Sequence, residues 1–257
     1  MTLNQGIDRG YLSSKNIGIL TLYKEISKQY NDNEILTYVN HMIPHNVLIQ
    51  FNDYIHYKEQ SIHYKEQSFK AIFHWFKNEF MKWMPKDLQC NVCNIQMEVQ
   101  VLPGNSWKLR STEIYKCIKC GSKCVFPRYG EIKKIADSQI GRCSEWSMLF
   151  GAILNSLSIP ARIIHDYLDH CWNESYIGQK WMHMDSTLAY PISFNHPHYY
   201  EENWSKKYEY IIAFSADSIE DVTRRYTEKW DSEVLARRIK NNADRKIDTF
   251  TKLYSRL

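Results

Sequence analysis

The chain of 257 residues carries 33 Lys and Arg against 29 Asp and Glu, a formal charge of +4, with 44% apolar and 14% aromatic residues. That balance suits a folded unit with one sizeable core and room for a small insert, and it argues against extended disorder. The mild charge, without a block of consecutive basic residues, speaks against a nucleic-acid surface, and no stretch of about 18 apolar residues offers a membrane span. Residues 1–10 lack the charged and then apolar pattern of a secretory leader, so a cytoplasmic location is expected.

In chain order, residues 17–84 have few breakers and recurring apolar positions. Phe69, Ile72, Phe73, Phe76 and Phe80 follow helical spacing until Pro85 stops the run. A helical N-terminal region is expected over residues 1–84. Within it HYKEQSI (56–62) is nearly repeated by HYKEQSF (63–69). A seven-residue insertion turns a helix face by only about 20°, so two turns added to an existing helix need no function of their own.

Residues 85–130 show little periodicity and carry clustered cysteines, which suggests loops and short strands organised by a metal. Cys90-x-x-Cys93 and Cys117-x-x-Cys120 are separated by 23 residues, spacing that lets two knuckles close on one tetrahedral ion. Four thiolates with no evident histidine or water position favour one closed, structural Zn²⁺ site, with a redox dithiol as the lesser alternative. Cys124, four residues further on, is in reach to substitute as a ligand, but reads rather as a packed small side chain.

From Gly141 a helix is expected, with Trp146, Leu149, Phe150, Ile153, Leu154 and Leu157 on one side and a stop at 158–160. Strand-like segments follow at 161–167, 170–176, 180–185 and 208–214. Helix first and then an antiparallel sheet is an α+β order, with the catalytic core expected over residues 131–226. Residues 227–257 have high helix propensity, and Val234, Leu235, Ile239, Ile247, Phe250 and Leu253 form a loose stripe for the core or a partner.

Chemistry concentrates around Cys143 in GRCSEW (141–146). A thiol in the first turn of a helix is stabilised as thiolate by the dipole and the unbonded N–H groups there. His170, in DHCWNE (169–174), and Asp185, closing KWMHMD (180–185), alternate onto single strand faces, so neighbouring strands can set Asp185 beside His170. Nucleophile, base and orienting acid are the roles this combination offers.

These landmarks, with HWFKNEFMKW (74–83), CVFPRYG (124–130), DYLDHCWNE (166–174), WMHMD (181–185) and YIIAFSADSIEDVTRRY (210–226), make the chain resemble the cytoplasmic peptide:N-glycanases of the transglutaminase-like superfamily over residues 71–226. Within that family the chain resembles the compact fungal form. The resemblance implies a papain-like core, a zinc-bearing lobe and a cleft between them. It implies an amidase that removes glycans from misfolded N-glycoproteins, with Cys143 attacking the side-chain amide of the glycosylated Asn, His170 as base and acid, and Asp185 as orienter.

It further assigns Trp172 and Trp181, and with them Glu174, to a substrate cleft, where indole can stack on sugar. Terminal helices of the compact form dock a ubiquitin receptor that shuttles substrates to the proteasome. Two departures stand out. Ser144 occupies a position that is commonly Gly, and Ser186-Thr187-Leu188 replaces a segment whose Glu contacts the glycan. Other outcomes of the same residues are a protease or transglutaminase, or a scaffold that has kept the fold.

Overall fold

The structure, a computed structural model, describes residues 14–56 and 62–243. The N-terminal helices are α1 (Ser14–Ser27), α2 (Asn33–Asn40), α3 (His45–His56) and α4 (Ile62–Trp75). Asp32 starts α2 by accepting the Glu34 and Ile35 N–H groups, the role for which Asp is favoured at a helix entry. The expected apolar spacing is realised: Phe69, Ile72, Phe73, Phe76 and Phe80 are all buried, the last two on a π turn, Phe76–Phe80, that continues α4. The duplicated heptads fall largely outside the residues whose side chains are described.

A two-residue strand β1 (Lys82–Trp83) then leads into a meander of β2 (Glu98–Pro103), β3 (Leu109–Lys116) and β4 (Lys123–Tyr129). Here the structure corrects the expectation of loops and short strands, because β3 is eight residues long. All six residues of β2 are exposed, so no apolar alternation marks the strand in the sequence. A satellite core of Met84, Cys90, Met97, Tyr115, Cys117 and Phe126 lies beneath it.

After α5 (Ile132–Ser138), β5 (Ile140–Gly141) pairs in parallel with β1, which sets the Trp83 strand beside the entry to α6 (Cys143–Ser156). Every residue from Ser144 to Leu154 is buried. The helix is therefore covered all round and not, as its apolar spacing suggests, on one side. Tyr30 packs so closely that a Cβ on Gly151 would sit 2.2 Å from its hydroxyl, which donates to the Met148 carbonyl at 3.0 Å. Only glycine leaves room for that contact.

Against α6 lies an antiparallel sheet built from β6 (Ala161–His165), β7 (Cys171–Ile177), β8 (Lys180–Met184), β9 (Ile212–Phe214) and β10 (Ile219–Asp221), in the order β10-β9-β6-β7-β8. Asn173 ties helix to sheet, its amide donating to the carbonyls of Ser147 and Arg162. α7 (Tyr199–Trp204) lies between β8 and β9 in sequence, and α8 (Leu235–Ala243) follows β10. Of the C-terminal stripe, Val234 is buried and Ile239 is 68% exposed, while Ile247, Phe250 and Leu253 lie outside the described residues. Among the described residues no helix is long and apolar enough to cross a membrane.

Candidate active site and metal centre

Cys143 is the first residue of α6. The preceding N–H, at Arg142, donates to the Glu145 carboxylate at 3.0 Å, which closes the helix entry. The rest of that entry is held by the meander. The Arg142 guanidinium forms two 2.7 Å bonds to the Glu113 carboxylate and reaches the Met84 carbonyl and the Tyr115 hydroxyl. Arg110 and Arg128, from β3 and β4, both donate to Ser144 Oγ at 3.0 Å and to Glu145. Ser144 thus adds an acceptor to this buried charge cluster, a use that glycine could not serve.

The sheet supplies the base. Asn173 of β7 pairs with Met184 of β8, so by the same register Asp185 stands opposite Trp172, and His170 lies one same-face step away. His170 Nε2 is 2.7 Å from Asp185 Oδ2, and the other carboxylate oxygen accepts the Thr187 N–H and hydroxyl at 2.8 and 2.7 Å. The loop before His170 is shaped by Asp166, whose Oδ1 accepts the N–H groups of Leu168, Asp169 and His170 and whose Oδ2 accepts from Lys206. Cys143 Sγ lies 3.6 Å from the Asp169 carbonyl oxygen, beside this loop.

Electrostatics favour a charged pair. The Cys143 thiol is held well below its usual range by a hydrogen bond from Cys171, against the cost of burial, and then by the bond and charge of His170. Burial pulls the His170 imidazole down, but Asp185 and the Cys143 sulfur outweigh it and raise its pKa to about 10. Burial likewise opposes ionisation of Asp185, yet the His170 charge and the donors around it hold its carboxyl at about 2. Cys171, pushed up by burial, remains a thiol and meets the Tyr23 hydroxyl at 3.2 Å.

Of the three residues assigned to a substrate cleft, Trp172 and Glu174 are buried and Trp181 is partly exposed. Trp172 is 1% exposed and stacks under the His170 ring at 5.7 Å, so it is a platform for the base and not a face open to sugar. Glu174 is fully buried and ion-paired to Arg162 and Arg225, with a hydrogen bond from Tyr226. A carboxylate so occupied has no free acceptor for a ligand. Trp181 is partly exposed, covered by the Arg162 guanidinium at 3.9 Å, and four residues from Asp185 along the strand, about 13 Å. Open aromatic surface beside the triad comes instead from Trp204, 41% exposed and packed edge-on against His170 at 5.1 Å. Nothing in the spacing of residues 199–206 signals Trp204, or Tyr200 and Lys206 beside it, because they reach the site by tertiary placement of α7.

In the meander lobe the sulfurs of Cys90, Cys93, Cys117 and Cys120 all lie within 4.8 Å of one another. Tetrahedral Zn–S geometry requires sulfur spacings of about 3.8 Å, so the donor set fits one such ion. Both knuckles share a backbone device. The N–H of Asn94 returns to the Cys90 carbonyl and that of Gly121 to the Cys117 carbonyl, each with positive φ, 51° and 75°. Cys124 sits on β4 opposite Tyr115, outside the four-sulfur group.

A thiol at a helix start, with an imidazole and a buried carboxylate on adjoining antiparallel strands, defines a cysteine-nucleophile core of the transglutaminase-like type. Consistent with this, the family described as transglutaminase-like superfamily matches residues 108–186, and the Rad4 transglutaminase-like domain matches residues 169–256. Each match covers about a third of the chain, and both are to transglutaminase-like families. Its sequence relatives are peptide-N(4)-(N-acetyl-beta-glucosaminyl)asparagine amidases. That of Mus musculus is 37% identical over 66% of this chain and 26% of the relative, and that of Saccharomyces cerevisiae 36% identical over 61% and 45%. The chain thus spans from about a quarter to less than half of the length of these relatives. A solved Rad4/XPC nucleotide excision repair complex superposes with a TM-score of 0.55 over 97% of this chain and 57% of the other; at 14% identity this likeness concerns the fold alone.

Proposed function

We propose that the chain is a peptide:N-glycanase, an amidase that converts glycosylated Asn to Asp in misfolded N-glycoproteins or glycopeptides. The observation that carries this reading is the ionised Cys143, paired with His170 and backed by a fully buried Asp185, in a chain whose relatives bear that activity in their names.

In this mechanism the Cys143 thiolate attacks the side-chain amide carbon. N–H groups of the first turn of α6 have no intrahelical acceptor and can stabilise the developing oxyanion. His170 gives its proton to the departing glycosylamine nitrogen, leaving a thioester on Cys143. The neutral imidazole then takes a proton from water, and hydroxide cleaves the thioester to release the peptide as Asp. The exposed face of Trp204 offers a stacking surface at the mouth.

Incubation with a denatured high-mannose glycopeptide should release the glycan and leave Asp at the former sequon. Cleavage of unglycosylated peptide, or amine incorporation into Gln without glycan release, would replace this reading with a protease or a transglutaminase.

We also assign Zn²⁺ to the four cysteines of the meander lobe, since thiolate sulfur suits it; elemental analysis should find about one zinc per chain. The resemblance adds a cytoplasmic location within degradation of misfolded glycoproteins, and a ubiquitin receptor bound near the termini. Co-purification of such a receptor, lost on deletion of residues 227–257, tests that partner.

A further inference from the structure

Two buried residues behind the triad have no part in the chemistry described so far. His183 of β8 is 2% exposed, and Tyr200 of α7 is fully buried. His183 Nε2 lies 2.7 Å from the Tyr200 hydroxyl, which lies 2.7 Å from Asp185 Oδ2, the same oxygen that His170 meets.

The direction of each bond follows from one contact. The backbone N–H of His196 donates to His183 Nδ1 at 3.2 Å, so that nitrogen is an acceptor. Burial keeps the His183 ring neutral, with a pKa lowered to about 3. A neutral imidazole that accepts at Nδ1 carries its proton on Nε2. Nε2–H therefore donates to Tyr200, and the Tyr200 O–H is directed to Asp185. The carboxylate then accepts four hydrogen bonds, from Thr187 N–H and O–H at Oδ1 and from Tyr200 and His170 at Oδ2, which fills its capacity.

We propose that His183 and Tyr200 are positioning residues that act through Asp185, fixing Oδ2 and setting how firmly the carboxylate holds the His170 proton. A donor to a carboxylate is worth most when the anion has no positive partner, and less when an imidazolium already neutralises it. The Tyr200 hydroxyl therefore favours the neutral form of His170, and eases release of its proton to the leaving group. A rigid acceptor without this donor would keep the imidazolium too basic for the transfer.

Other ionisable groups around these residues are Cys143 on α6, Cys171 and Asp169 on the His170 segment, Asp166 in the loop before it, His165 on β6, His196 before α7, Tyr226 beyond β10 and Lys206 beyond α7. Tyr200→Phe and His183→Leu change none of them. They also leave the stacking of ring 200 on Trp172 and its edge contact with His170 sterically possible.

The proposal deepens the cysteine-amidase reading and rests on it for its catalytic consequence, so the test has one arm that needs no substrate. The ¹⁵N shifts of the His170 ring, followed against pH in the full chain, should show a midpoint raised by about half a unit in Tyr200→Phe. His183→Leu should move it less in the same direction, and the double variant no further than Tyr200→Phe, because His183 acts through the hydroxyl. His183→Gln, which can donate from the place of Nε2, should stay near the parent. With glycopeptide, Tyr200→Phe should lower kcat about tenfold with KM little changed.

A midpoint that stays in place or falls in Tyr200→Phe overturns the relay. If that variant does not fold, a His183→Leu midpoint equal to the parent's does the same. A raised midpoint in a protein that releases no glycan supports the relay while removing the amidase reading.

Discussion

Two sets of cysteines in one chain have opposite fates, and their surroundings decide which. Around Cys90, Cys93, Cys117 and Cys120 the candidate metal ligands brought together are all sulfur, and among the described residues no imidazole or carboxylate belongs to the cluster. Four thiolates at such distances repel one another, and a cation is the natural way to hold them. Around Cys143 the partners are a neutral thiol and the imidazole of His170, itself backed by a buried carboxylate, so the countercharge to the sulfur comes from a side chain that does not ligate it and the sulfur stays available to attack. Thiolate chemistry in this molecule is set by what stands opposite the sulfur.

The sharpest test of that contrast replaces one cysteine from each set. Cys143→Ala should lower glycan release by at least ~10⁴-fold with no change in the melting temperature beyond a few degrees. Cys117→Ser should do the reverse in kind, loosening the lobe so that protease cuts appear within residues 90–130. If Cys117→Ser melts like the parent, the cluster is not structural.

The two regions are also joined. Glu113 and Tyr115 of β3, and Arg110 and Arg128, grip the helix entry at Arg142, Ser144 and Glu145. Glu113→Gln leaves the buried Arg142 charge uncompensated and should cost about 3 kcal/mol or more in urea unfolding, since breaking a buried pair from one side exposes the other charge to an apolar setting. Wild-type stability in that variant would show that lobe and helix are held together by something else.

Acidity separates the regions again. For activity, kcat/KM should hold a broad plateau, ending on the alkaline side near pH 10 as His170 loses its proton and on the acid side below the usual thiol range. For stability, the carboxyls of Asp185 and Glu113 are both lowered to about 2, so their contribution is fully present above the ordinary carboxylate range. It is lost as pH falls from about 4 toward about 2. Denaturant titrations across that interval should show the midpoint falling with pH. An alkaline limb near pH 7 would mean that His170 is not held as an imidazolium.

The smallest effect is expected from Trp181→Phe, because that indole packs against Arg162 and Tyr176, well away from Asp185. KM for glycopeptide should change less than about twofold, in line with an ordinary substitution away from the reacting groups. A tenfold rise would return Trp181 to the substrate cleft.

Legibility of the site followed the range of the interactions. Strand alternation placed Trp181, His183 and Asp185 on one face, and helix-start chemistry singled out Cys143, since both depend on residues within a few positions. Trp172 and Glu174 share a face with His170 as well, but whether such a face meets solvent or other side chains depends on Tyr226, Arg225 and Tyr200, which arrive from remote segments. Strand β2 was obscured for the opposite reason, that exposure on both faces leaves no pattern to read.

What the sequence determined by itself was local and compositional. The cysteine pairs give a four-sulfur site, the apolar spacing gives α4, and the flanks of Cys143, His170 and Asp185 give a reactive set. Tertiary structure alone decided the rest: that α6 is buried on every side, that Glu174 is consumed by ion pairs, that β3 and β4 grip the nucleophile's helix, and that Tyr200 and His183 stand behind Asp185. The physical reason is that hydrogen bonds, ion pairs and burial depend on distances in space, and only folding brings residues so far apart in the chain within reach of one another.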